Sequence, residues 1–266
     1  MNRSTIMTLL GATFGASFLF MAMTGFVLLT AHFNAATMPG LPWFPVPVLA
    51  GVFAVTWWCE RRWRIGLRTP LQAPLGLTVA FAVLSMIAAN AVMVLSMIAH
   101  DLTYVPTLGP AETSFVFQVT YWVAISIAMS TLSEMCFRGI MQTLLSRHMA
   151  IGLAVFVVVL FNTFAHPWDT LWPRFFSAIA FLTAWSCLIL LCGSLKAAII
   201  THLFAVMARD IPYWWLDEVP MGDVSKSFTI GVLILGGATS LAAGWVAVRI
   251  RRVQQQYVSI EKNKIS

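Results

Sequence analysis

The stretch SEMCFRG, residues 133–139, sets a glutamate and an arginine four positions apart, while most other charges sit near the ends of apolar segments. On a helix, that spacing brings Glu134 and Arg138 side by side. Charges at membrane depth cost energy and tend to mark pathways, relays or catalytic sites. Whether this pair lies at membrane depth depends on what surrounds it.

The chain of 266 residues is 59% hydrophobic and 10% charged, whereas a soluble surface needs roughly a quarter charged residues. The composition therefore predicts an all-α polytopic membrane protein, with about eight apolar stretches of near-spanning length. They fall at about 5–31, 44–59, 75–99, 114–137 (running on to about 147), 150–167, 173–192, 194–209 and 227–248, with ends good to about four residues. The first stays apolar for about 26 residues, longer than the core of a cleavable signal, so it is expected to be retained. The whole chain, 1–266, is read as one membrane domain, with a core at about 114–209 and a basic tail at 249–266.

Charge placement predicts orientation. Of sixteen Lys and Arg residues, an inside N-terminus places thirteen inside: Arg3, Arg61, Arg62, Arg64, Arg68, Arg138, Arg147, Lys196, Arg249, Arg251, Arg252, Lys262 and Lys264. Arg174, Arg209 and Lys226 fall outside. The positive-inside rule then puts both termini in the cytoplasm of a multi-pass plasma (inner) membrane protein. This bias accounts for the net charge of +6, so nucleic acid is not an expected partner. The bilayer is one, and a peptide or membrane-protein partner is a second; oligomeric state is not readable. Cys59, Cys136, Cys187 and Cys192 lie in or beside the expected cytoplasmic ends of spans and lack the CxxC spacing of zinc sites, as small core residues of a reducing compartment do. Trp57, Trp58 and Trp63 on one side, and Trp168, Trp172, Tyr213, Trp214 and Trp215 on the other, fit interfacial aromatic belts.

Three ionisable groups fall within spans: Glu134, His166 and His202. With a turn at about 147–150, Glu134 lies about 14 residues before it and His166 about 16 after it, so antiparallel helices bring the two level. His202, about nine residues past the CGS break, reaches the same layer. A glutamate and two histidines at one depth suit water activation with oxyanion support. They also suit a proton relay, or a metal such as zinc, although no cofactor is the favoured expectation.

At these residues the sequence resembles the CAAX proteases and bacteriocin-processing enzymes, the CPBP family of intramembrane glutamic endopeptidases. SEMCFRGIMQTLL resembles the first motif of that family, FNTFAHPW the second and GSLKAAIITHLFAV the third. The intervals of 32 residues (134 to 166) and 36 residues (166 to 202) also fit. The resemblance implies that Glu134 is the second glutamate of a pair, Arg138 its arginine, His166 the water-polarising histidine and His202 the oxyanion histidine. Three positions depart from the pattern. Ser133 stands where the family carries its first glutamate, Asn162 where it carries a phenylalanine, and Val206 where it carries an asparagine.

On a plain α-helix Ser133 is about 100° round from Glu134. Either Glu134 has taken over as base with Arg138 released to other partners, or Ser133 is a nucleophile served by His166; Asn162 is a candidate replacement donor for the amide absent at 206. The resemblance thus implies a Glu/His water-activating endopeptidase, or a catalytically inactive relative that binds a partner within a membrane complex. A proton-coupled transporter or an immunity protein is a third class. The segment RDIPYWWLDEVPMGDVSKS is long, acidic and aromatic, and is read as an interfacial cap or a docking loop.

Overall fold

The computed structural model describes residues 3–100, 103–104, 113–165, 168–210, 219–220 and 224–265. Among these residues eight helical segments follow one another: α1 Arg3–Thr37, α2 Pro45–Trp63, α3 Leu75–Ala99, α4 Phe115–Ser133 with its continuation, α6 Ile151–Phe164, α7 Trp168–Cys192, α8 Leu195–Asp210 and α9 Lys226–Ile265. The continuation of α4 is a π-helical stretch, Glu134–Gln142, closed by a short α5, Thr143–Leu145. The one sheet among the described residues is a two-residue ladder, β1 Thr103–Tyr104 antiparallel to β2 Val219–Pro220, which ties the α3–α4 connection to the α8–α9 connection.

The molecule is an all-α, multi-pass membrane protein. Four stretches are long and apolar enough to cross a bilayer: Ile6–Thr37, Leu75–Ala99, Phe115–Leu145 and Lys226–Gln255. Three apolar helices, Ile151–Phe164, Ala178–Cys192 and Leu195–Met207, are shorter. The expected spans and the observed helices correspond one to one, but four helices run longer than expected: α1 continues to Thr37, α7 begins at Trp168, α2 runs on through the arginines to Trp63, and the basic tail carries α9 onward to Ile265.

Two packed halves meet chiefly where α6 packs on α7, and the π stretch touches both of those helices. In one half, Phe20, Val48, Phe117, Leu132, Phe137 and Val158 join α1, α2, α4, α6 and the π stretch. In the other, Phe81, Leu188, Val246 and Ile250 join α3, α7 and α9. The π stretch touches α1, α2, α6, α7 and α8, and all nine of its residues are buried. Gly139 makes this closeness possible, since an added Cβ would stand 3.0 Å from Ile65 Cβ and 3.2 Å from Leu195 Cδ2.

Polar side chains hold the turns. Buried Asn34 donates to the Met38 and Leu41 carbonyls and accepts the amides of Trp43 and Phe44, closing the α1–α2 turn. At the basic end, Arg64 adopts a left-handed conformation (φ 51°), and buried Glu60 accepts the Leu67 and Arg68 amides at 3.0 and 3.3 Å. Between α7 and α8 the chain turns at Gly193 (φ 69°). Leu195 N–H donates to Gly66 O and Gln72 N–H to Cys192 O, so the α2–α3 loop braces the start of α8. Gln254 Nε2 donates to the Gln72 and Leu191 carbonyls, bringing the far part of α9 to the same end of the bundle.

Candidate active site

Ser130, Glu134, Arg138 and Gln142 recur every four residues along the α4–π helix, and all four are buried. π-helical turns are rare and favour functional sites, because hydrogen bonds from i to i+5 widen the helix and shift its faces. Widening begins at Glu134, which changes the neighbourhood of Ser133. Rather than being turned away by about 100° as on a plain α-helix, Ser133 joins Glu134 at the same guanidinium. Arg138 Nη1 lies 3.4 Å from Glu134 Oε1 and donates to Ser133 Oγ at 3.5 Å. The expectation that Arg138 is released from Glu134 is therefore corrected.

α8 carries His202 to the same carboxylate, with Nδ1 2.8 Å from Glu134 Oε1. Its ring stacks on Trp185 of α7, centroid to centroid 3.8 Å at an interplanar angle of 17°. Arg138 Cζ sits 5.7 Å from the centre of the same indole. The tryptophan thus fixes the imidazole by face contact and offers its face to the cation. Glu134 Oε1 receives Arg138 and His202 together; Glu134 Oε2 is buried and accepts nothing among the described residues.

A second side chain reaches over from α6. Asn162 is fully buried and its Nδ2 donates to Ser133 Oγ at 3.3 Å. That places the amide on the position where the resemblance expects a glutamate. α7 contributes backbone acceptors as well: Arg138 Nη2 donates to Leu182 O at 3.2 Å, and Gln142 Nε2 to Ser186 O at 3.3 Å.

Of the four candidate residues, Glu134, Arg138 and His202 come together. His166 lies outside the described residues, as do Tyr213, Trp214, Trp215 and most of the acidic aromatic segment around them. Sequence reasoning missed Trp185 and Gln142. A tryptophan in mid-span, away from both belts, was the available signal for the first. A glutamine four residues beyond Arg138, continuing the polar row of Ser130, Glu134 and Arg138, was the signal for the second. Among the described residues no three His, Cys, Asp or Glu side chains gather as a metal cluster. Cys59, Cys136 and Cys192 are buried free thiols, and Cys187 is a partly buried one.

The order of donors around Glu134 sets what the group can do. One carboxylate oxygen is held by a cation and an imidazole, which fixes the orientation of the other. A carboxylate oxygen without another partner can take a proton from a water that reaches it. Residues 115–208 match the family described as type II CAAX prenyl endopeptidase Rce1-like. That range contains all three motif regions, and it bears out the resemblance to the CAAX protease family. Neither curated proteins nor solved structures yield a match.

Proposed function

We propose that the chain, whose core resembles CAAX prenyl endopeptidases, is an intramembrane hydrolase that cleaves a peptide bond with a water held by Glu134 and His166. The observation that carries this reading is the placement of Glu134, with Oε1 fixed by Arg138 and His202 and Oε2 left to act. In the first step, Oε2 takes a proton from water as the water oxygen bonds to the scissile carbonyl carbon. The carbonyl electron pair moves onto oxygen. A doubly protonated His202 can donate Nδ1–H to Glu134 and Nε2–H to that oxyanion. Collapse of the tetrahedral centre breaks the C–N bond, and the proton on Glu134 passes to the departing amine.

A farnesylated peptide ending in Cys-aliphatic-aliphatic-X, and an internally quenched peptide library, are the substrates to offer the purified protein. Glu134→Gln and His166→Ala are each expected to lower turnover by about 10²–10⁴-fold. Unchanged cleavage in either variant would overturn the mechanism.

One feature favours a second reading, a catalytically inactive subunit that binds a peptide or membrane protein. Ser133 Oγ accepts N–H groups from both Arg138 and Asn162, so the position of the missing glutamate is occupied by a closed hydrogen-bond network. On that reading the natural chain cleaves none of these substrates, and Ser133→Glu combined with Val206→Asn gains hydrolysis.

A further inference from the structure

At the basic end of the bundle, Lys196 lines two apolar grooves and Arg61 and Arg68 lie over a tryptophan that lines one of them, none of the three paired with a carboxylate among the described residues. Arg68 Cζ lies 4.1 Å and Arg61 Cζ 5.1 Å from the centre of the Trp57 ring. Trp57 and Lys196 both line a groove of about 270 Å³ between α2 and α8, floored by Phe53 and Ile199. On the other side of α8, a second groove of about 610 Å³ runs along α3, lined by Val79, Val83, Ala197 and Phe204. Lys196 and Ile200 belong to both grooves, so two apolar channels flank one helix and meet at one ammonium.

The nearby acid is engaged by backbone amides rather than by these side chains. Glu60 is buried, and its two oxygens accept the backbone amides of Leu67 and Arg68. Among the described residues, no carboxylate pairs with Arg61, Arg68 or Lys196. All three side chains are exposed. Holding two guanidinium groups on one indole, beside an ammonium, costs repulsion that an anion removes.

We propose that this end of α2 and α8 binds an anionic diacyl phospholipid. One acyl chain lies in each groove, and the phosphate sits among Arg61, Arg68 and Lys196. Two grooves meeting at a shared cation match a molecule with two tails and one charged head. Basic pockets between spanning helices recognise such headgroups electrostatically, and the apolar walls retain the chains.

The test is native mass spectrometry of the full chain, released from detergent with dioleoyl phosphatidylglycerol, dioleoyl phosphatidylcholine or glycerol 1-phosphate. The wild type is expected to retain phosphatidylglycerol, to release phosphatidylcholine, and to hold no glycerol phosphate. Replacing Arg61, Arg68 and Lys196 together with Gln should weaken phosphatidylglycerol binding by about a hundredfold, the combined contribution of three cations near an anionic headgroup. A control removing equal charge elsewhere on the basic end, Arg249, Arg251 and Arg252 to Gln, should change it by less than about threefold. Equal weakening in both triple variants, or equal retention of phosphatidylcholine, would show a diffuse basic surface and overturn the site. Glycerol phosphate bound as well as the lipid would show an anion site without acyl recognition, and would overturn it too.

Discussion

Arg138 is buried with no exposed guanidinium surface, ion-paired to Glu134 and bonded to the Leu182 carbonyl and Ser133 Oγ. Removing a buried charge's partner leaves the other charge uncompensated, which costs more than the pair itself contributes. Arg138→Met keeps the length and apolar bulk of the side chain but strips Glu134 of its cation. Stability is expected to fall by about 3–5 kcal/mol, read as a lower melting temperature of the detergent-solubilised protein. Adding Glu134→Gln removes the stranded charge, and the double variant should recover part of that loss. A double variant no more stable than Arg138→Met would mean that the guanidinium acts mainly through its bonds to α7 and Ser133. The i, i+4 spacing of Glu134 and Arg138 made this pair legible in the sequence. The grip of Arg138 and Asn162 on Ser133 was not, because it depends on a π turn and on the approach of α6, neither of which leaves a periodic pattern.

At the scale of elements, the depth at which His202 meets Glu134 is set by the α7–α8 turn. Gly193 turns the chain at φ 69°, and a Cβ there would stand 2.5 Å from Gln72 Cδ. Both the left-handed backbone and the contact oppose any side chain. Gly193→Ala is expected to destabilise the protein by more than about 1 kcal/mol and to lower any Glu134-dependent activity along with it. Gly231→Ala is the matched control, since nothing lies within 4 Å of its added Cβ in α9; it should leave the melting temperature unchanged or raise it. A harmless Gly193→Ala would show that the α2–α3 loop yields and that α8 is positioned by other contacts. Helix number and order were readable from hydropathy, because each apolar run is bounded by charged, Gly or Pro-containing breaks. The pairing of halves was not, since apolar faces such as those of α3 and α9 carry no sequence mark for the helix they pack against.

Across the whole molecule, the two ends of the bundle differ in chemistry. Gln254 of α9 bonds to Gln72 and Leu191, and Leu195 to Gly66, which gathers the arginines of α2, Lys196 and the arginines of α9 at one end. The β1–β2 ladder gathers the α3–α4 and α8–α9 connections at the other. An orientation with the basic end in the cytoplasm would satisfy the positive-inside rule, and the eight crossings expected from the sequence would put both termini there. Reporter fusions test this directly. Green fluorescent protein fused after Ser266 should fluoresce, and alkaline phosphatase inserted within 105–112 should be active, because each reporter matures on one side only. The reverse pattern would place the basic end outside. It would also remove the cytoplasmic leaflet as the source of lipid for the grooves beside Lys196. Moving charge provides the finer test: replacing Arg61, Arg62, Arg64 and Arg68 with Gln takes four cations from the end of α2 and the short loop that follows it. Mixed orientation in that variant would mean that this loop, rather than the α9 tail, sets the topology. Retained orientation would assign that role to the tail.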